Sequence, residues 1–422
     1  MIAGIETELP AYSKKYLESV PAKKILKKEY LEEIGLNVFQ CDDFSDSFLV
    51  ELNNAGFRIY TDYSNAEGPC EKLEISTPIS TFKGVYDSWI MGMSIASLLS
   101  ERNKRNKLAA TGWFPFGEGA KNAGIHIHIS PFYYLTKEVD TIIAVMNFNS
   151  PIKNNRVKRR KSVRYSEYVK VYGWTKRITK NSEHKVTGGS FFSKKYHIEV
   201  RSLDTHFYPD SLKATLAFLA SIPPYYQKKD YYPLQFLQNP STRSLECKAR
   251  CVDGEERTIS EILLETIDSR RIKKNFGKES GEFTKSLKKI AEKEVPLPAE
   301  MQIKNFENLE KLLKTPLSEG GIMLAPEDIK TIAGDSPEEI IKRYEPQTKS
   351  AVDLGMSIKS IIPIKRHIEL LTPEKSVWSG SFYVRKRRKE ERAEIHPRIY
   401  KKLLGKKRVY LKDFEWEPIT ME

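Results

Sequence analysis

Cysteine is scarce, with four residues in a chain of 422, at Cys41, Cys70, Cys247 and Cys251. They are too few and too scattered for a disulfide framework. Cys247 and Cys251 stand four apart, but no second pair with zinc spacing accompanies them. A chain that does not rely on disulfides fits a reducing cytoplasm. Long apolar runs are missing too. No stretch of about 20 apolar residues occurs, so no membrane-spanning helix is expected. The first apolar run is broken at once by Glu6 and Glu8, so no signal peptide is expected either. Internal repeats and long low-complexity segments are absent. Acid is in deficit, with 70 Lys and Arg against 56 Asp and Glu, a formal charge of +14. That balance suits an anionic partner (nucleotide, nucleic acid or acidic polypeptide) without choosing among them. The hydrophobic share is an ordinary 40%, enough for a large catalytic domain and a smaller second one.

Four short stretches stand out in this background. Each is an apolar strand with acids or histidines on a single face, because side chains alternate along a strand with a period of two. GIETE places Glu6 and Glu8 together. EKLEIST offers Glu74, with Lys72 on the same face and Glu71 near the strand start. GIHIHIS alternates His126 and His128 with Ile125, Ile127 and Ile129. YHIEVRSLD puts His197, Glu199 and Arg201 on one side and Ile198, Val200 and Ser202 on the other. Adjacent acids repel, and burying them is costly unless a cation sits between them. Several carboxylates with an imidazole make a mainly oxygen donor set, which suits Mg²⁺ or Mn²⁺ holding phosphates better than structural zinc. A guanidinium at Arg201 can contact phosphate or a substrate carboxylate with both of its forks. Taken singly, each stretch also reads as an ordinary amphipathic strand.

The remaining pattern gives an order of elements. Residues 1–8 read as a strand ended by Pro10, and residues 11–34 as a helix broken at Pro21. Residues 56–63 and 72–77 read as strands, with a turn at 65–69 between them. Residues 82–100 carry apolar side chains at helical spacing, and residues 111–124 form a glycine-rich loop with Trp113, Phe114 and Phe116. A strand over 125–129, a helix over 137–148, a strand over 194–203 and a helix over 211–221 follow. After Pro223 and Pro224 the character changes to charged amphipathic helices over 259–274, 283–293, 299–314, 326–330 and 337–344. This places a boundary near residue 224, dividing a catalytic domain over 1–224 from a mainly helical, basic C-terminal region over 225–422. The most basic runs are residues 153–164 and 385–392.

The four stretches resemble motifs of the glutamine synthetase-like carboxylate–amine ligase superfamily. The nearest likeness within it is to the amidoligases, with the Pup ligase and glutamate–cysteine ligase families as relatives. Gly4, Glu6 and Glu8 match a first-strand G-x-E-x-E. Glu74, Ile75, Ser76, Thr77 and Pro78 are similar to E-[IL]-x-S-P with one residue inserted. His126 and His128 match the H-x-H strand, and Glu199, Val200 and Arg201 the late E-[FV]-R strand, with Ser202, Leu203 and Asp204 continuing it. The resemblance covers residues 1–224, with its motifs in the family's order, and does not extend beyond.

The resemblance implies an α+β fold: a curved, mostly antiparallel sheet with helices on its convex face, plus the helical C-terminal region. It implies an ATP-dependent ligase that joins a carboxylate substrate to an amine substrate through an acyl phosphate, with an acidic polypeptide among the candidate substrates. On this basis Glu6, His126 and Glu199 would hold the Mg²⁺ or Mn²⁺ that bridges the ATP phosphates. Glu8 and Glu74 would hold a second metal ion, with Glu71 as a helper. Arg201 would bind substrate carboxylate or the transferred phosphoryl group, and His128 would orient it. Lys185 and Arg164 are further candidates for phosphate, set by no motif, and His197 gains no role. Two other readings stand beside this one. A deamidase or phosphotransferase could use the same sheet differently. A nucleic-acid-binding or structural protein could have kept the fold, with the basic runs on phosphate, although such a protein has little use for the acids of GIETE.

Overall fold

A computed structural model describes residues 1–40, 47–52, 55–61, 72–112, 123–130, 142–143, 146, 152–154, 157–160, 198–222, 235–236, 245, 248–250, 255–296, 309–345, 369–371, 381–386 and 389–394. The chain opens with strand β1, Ile2–Ser13, and continues through β2 (Asn37–Gln40), β3 (Ser47–Leu52), β4 (Ala55–Thr61), β5 (Lys72–Ser76), β6 (Ser80–Thr81), β7 (Asn106–Leu108) and β8 (Gly124–Ser130). Two short strands, β9 (Ile152–Asn154) and β10 (Val157–Arg160), pair with each other, and β11 (Ile198–Asp204) returns to the main sheet. The order across that sheet is β11-β8-β1-β5-β4-β3-β2, with β6 and β7 also pairing to β1. Every pairing in it is antiparallel. The architecture is therefore α+β, built on an open antiparallel sheet.

β1 runs five residues past Glu8, and Pro10 does not end it. Pro10 lacks an N–H, but its carbonyl accepts from Ala109 N at 2.9 Å, and beyond it β1 pairs with β7. A proline is tolerated where the ladder changes partner. The helix expected over 11–34 is also absent as such. The segment holds a 3-10 turn at Ala22–Lys24 and a short helix α1, Lys28–Glu33. Its apolar residues Val20, Ile25, Leu26 and Leu31 join the core one by one.

Behind the sheet lies α2, Phe82–Arg102, whose first turn is capped by Thr81 Oγ1 accepting from Gly84 N at 3.1 Å. A Cβ on Gly92 would come within 3.1 Å of Ile75 Cγ2, so this glycine lets α2 approach β5 closely. The next helix is α3, Pro209–Ser221. The stretch 259–274 splits into α4 (Ile259–Thr266) and α5 (Ser269–Phe276). The break comes at Asp268, whose carboxylate Oδ1 accepts from Arg270 N and Arg271 N, both at 3.0 Å, which starts a new helix. α6 (Ser280–Ala291), α7 (Leu309–Lys314), α8 (Pro326–Ala333) and α9 (Pro337–Arg343) follow. The expected helix over 299–314 is described only from Leu309. That over 137–148 and the loop over 113–122 lie outside the described residues.

These later helices share one core with the sheet. Ile5, Ile75 and Ile127 from the strands, Trp89 from α2, Phe218 from α3, Phe283 and Leu287 from α6 and Tyr344 after α9 belong to one buried cluster. Removing each such aliphatic side chain from water contributes roughly 1.5–3 kcal/mol. Across the seam, Tyr344 Oη and Ser88 Oγ lie 2.6 Å apart, and the rings of Phe82 and Phe276 lie 5.7 Å apart. Among the described residues no helix is long and apolar enough to cross a membrane.

Candidate functional site

The strand order brings the four motif strands side by side: β11, β8, β1, β5. Their registers then decide which side chains share a face, because directly opposed residues in an antiparallel ladder lie on the same side. Glu6 stands opposite His126 on one side and Ser76 on the other. Glu8 stands opposite Glu74, and Glu74 opposite Tyr60. Glu199 stands opposite His128. The isoleucines Ile5, Ile75, Ile125, Ile127 and Ile129 occupy the alternate positions and are buried in the core. The apolar face anchors the strands, and the other face collects the acids and histidines.

On that face the Glu6 carboxylate bridges two imidazoles. Its Oε2 lies 3.3 Å from His126 Nδ1 and 3.2 Å from His128 Nε2. Burial alone would raise the Glu6 pKa, but the charge of His128 and the hydrogen bonds of both histidines outweigh it and hold the carboxyl well below its usual range. Glu6 is therefore ionised and ready to accept. Glu6 and His128 keep 28% and 24% of their side chains exposed, whereas His126 keeps 3%.

The second acidic position is buried. Glu8 Oε1 pairs with Lys72 Nζ at 2.9 Å, and Glu8 Oε2 accepts from Gly124 N at 2.7 Å. The backbone of Glu8 is tied as well, its carbonyl accepting from Thr205 Oγ1 at 2.7 Å. Glu74 Oε1 accepts from the Tyr60 hydroxyl. Burial, with the negative charges of Glu74 and Glu6, raises the pKa of that phenol well above its ordinary value, so it stays a donor. Thr77, at the end of the EKLEIST motif, fixes β1 from the side: Ile5 N donates to Thr77 Oγ1 and Thr77 N donates to Ile5 O, both at 2.8 Å.

The backbone of β11 departs from simple alternation. Val200 opposes Ile127 and Leu203 opposes Ile125, with a register shift between them. Val200 and Leu203, three residues apart, are both fully buried. An irregularity at Arg201 and Ser202 makes this possible, so Leu203 takes the core position that plain alternation assigns to Ser202. Glu71, Arg164, Lys185 and His197 lie outside the described residues. The two basic runs contribute the β9–β10 pair and the paired strands Ser381–Lys386 and Lys389–Glu394.

Two participants escaped the sequence. Tyr60 had only an alternation pattern to its name, and its role rests on the β4–β5 register, which no motif encodes. Lys72 was placed on the face of Glu74, but nothing local pointed to Glu8 as its partner, 64 residues away. A cavity of about 850 Å³, lined by Tyr86, Asp87, Tyr208, Lys213 and Tyr344 among others, involves none of the acids on the motif strands.

Does this face suit a divalent cation? The donors are carboxylate oxygens and imidazole nitrogens, the set that Mg²⁺ and Mn²⁺ accept. Three carboxylates, Glu6, Glu8 and Glu74, face one ammonium, Lys72, which leaves a surplus of two negative charges among these four groups. The donor chemistry and the charge fit such an ion. Among the described residues no three His, Cys, Asp or Glu side chains form a group that could hold a metal ion.

The fold has a counterpart among solved structures. A crystal structure of the complex between the prokaryotic ubiquitin-like protein Pup and its ligase PafA matches with a TM-score of 0.50, over 93% of this chain and 88% of that chain, at 12% identity. The fold is that of the Pup ligase. A second structure, the Pup ligase PafA in complex with ADP, gives a TM-score of 0.47 over 89% of this chain and 90% of that one, at 10% identity. A bifunctional glutathione synthetase from Pasteurella multocida gives 0.35 over 93% and 59%, also at 10%. No protein-family model and no curated protein matches the chain. The Pup-ligase fold accords with the α+β architecture that the four motifs implied.

Proposed function

We propose that the protein is an ATP-dependent carboxylate–amine ligase. A substrate carboxylate oxygen attacks the γ-phosphorus of ATP and ADP leaves. The amine then attacks the acyl carbon, phosphate departs, and loss of a proton from nitrogen gives the amide or isopeptide bond. The observation that carries this reading is the register that collects Glu6, His126, His128, Glu8 and Glu74 on one face of adjacent strands, in a sheet with the fold of the Pup ligase.

Glu6, His126 and Glu199 are the residues assigned to a divalent cation at the nucleotide phosphates, and Glu8 and Glu74 form the acidic position next to it. When bound, such an ion neutralises charge on the transferring phosphoryl group. The chain's own part is to hold that face in place. His126 and His128 fix the Glu6 carboxylate. Tyr60 orients Glu74, and Lys72 and Gly124 orient Glu8. Catalysis of this type rests on position and charge compensation. Arg201 is assigned to the anionic group of the substrate, and His128, the more open imidazole, to orienting it. Pup is the polypeptide partner of PafA, and a charge of +14 makes an acidic polypeptide a fitting substrate for this chain. The carboxylate and amine themselves are to be found by screening.

The test uses hydroxylamine as the amine, because it traps acyl phosphates as hydroxamates. The full chain is incubated with ATP, Mg²⁺ and a panel of free and peptide-borne carboxylates. Hydroxamate and ADP should form in equal amounts and only with Mg²⁺. Glu6→Gln should lower the rate on the order of 100-fold or more, since it removes a charged group at the centre of the site. A Glu6→Ala, Glu8→Ala chain that turned over normally would remove the site and the reading with it.

A further inference from the structure

The second acidic position already contains a cation that belongs to the chain. Lys72 Nζ lies 2.9 Å from Glu8 Oε1, with only 11% and 3% of the two side chains exposed. The other Glu8 oxygen is taken by Gly124 N, and Glu74 is held by the Tyr60 hydroxyl. Lys72 reaches this place because of the ladder itself. It opposes Pro10 while Glu74 opposes Glu8, so the ammonium comes from the diagonal neighbour on the same face. A buried, closely paired charge is hard to dislodge, because removing one partner leaves the other uncompensated. A divalent ion entering here would have to displace Lys72 and then sit beside its positive charge.

Building on the ligase reading, we propose that Lys72 supplies the second cation of the site, so that the chain binds one divalent metal ion, at Glu6 and His126, where the resemblance implies two. Lys72 acts as a positioning residue. It holds Glu8 and neutralises it permanently, and the single exchangeable metal position is the one beside the two histidines. The carboxylate–amine chemistry is then served by one metal ion and one fixed ammonium.

The stoichiometry can be counted with Mn²⁺ as the probe, by electron paramagnetic resonance of free Mn²⁺ on the full chain, with and without a non-hydrolysable ATP analogue. One Mn²⁺ per chain is expected, weakened at least 10-fold by Glu6→Gln. Lys72→Met should open the Glu8 position and raise the count to two. Because that variant leaves Glu8 buried without its ammonium and can fail to fold, the paired variant Lys72→Met with Glu8→Gln removes both charges at once. It should keep one Mn²⁺ with affinity within about 3-fold of the parent. Two Mn²⁺ on the unmodified chain, one on a folded Lys72→Met chain, or loss of the ion in the paired variant would each overturn the proposal. No Mn²⁺ at all, or one that Glu6→Gln does not weaken, would instead remove the metal site and the ligase reading on which the proposal rests.

Discussion

Glu6 shows how far a single position can be read. Its neighbours in sequence mark it as half of an acidic pair, but its ionisation is set by His126 and His128, about 120 residues away along the chain. His206 is a second case, and one that can be measured. It is buried, its Nδ1 accepts from Tyr208 N at 3.2 Å, and burial pushes its pKa down to about 3 from 6.5. The unfolded chain binds a proton there below pH 6.5 and the folded chain does not, so this residue contributes stability above that pH and loses it on acidification. The expected outcome is that His206→Gln flattens the acid limb of the stability curve by roughly 2–4 kcal/mol between pH 6.5 and about 4, relative to the parent. Urea unfolding at a series of pH values would show it, and parallel curves for the two proteins would disprove it. That Glu6, Glu8, Glu74 and His126 share one face of the sheet was legible because chemistry on one face of a strand survives in local alternation. Tyr60 and Lys72 were not, because their partners are fixed by register, which spans loops whose length the local pattern ignores.

At the level of elements, α2 was readable from its apolar spacing almost to the residue, since a buried helix states its period openly. β2, β3 and β7 were not foreseen. Asn37–Gln40 is mostly exposed and Asn106–Leu108 has three residues, too little for a period to register. The break at Asp268 was missed because an apolar stripe can continue across a cap. The contact between α2 and β5 carries a prediction of its own. Ile75 presses on Gly92 from the core side of β5, and the adjacent Glu74 projects to the acid face. Gly92→Leu should wedge the helix from the strand and cost about 1–3 kcal/mol, read as a lower urea midpoint. Ile75→Ala in the same chain should recover part of that loss, a coupling between contacting positions. Strict additivity of the two changes would mean that they do not touch.

For the molecule as a whole, the boundary near residue 224 came from a change in composition, whereas the packing follows the core. Helices after residue 224 bury Phe276, Phe283, Leu287 and Tyr344 against α2 and the sheet. A fragment of residues 1–224 should therefore lack a cooperative thermal transition and bind a hydrophobic dye, while the full chain melts in a transition that includes these helices. A fragment with a sharp transition of its own would show that the first half stands alone. The adjacency of β11, β8, β1 and β5 has a last consequence, in time. β1 leaves the ribosome well before β8, which begins at Gly124, and β11, which begins at Ile198. Each pairing closes a long loop, and contacts of such separation form slowly. During synthesis the Glu6 carboxylate has to wait for about 120 residues to appear before either imidazole can meet it, and Glu199 comes later still. An unfinished or clipped chain is thus not a weak version of the finished one. It carries the acids without their partners, and the competence to gather them arrives only when the returning strand has closed the sheet.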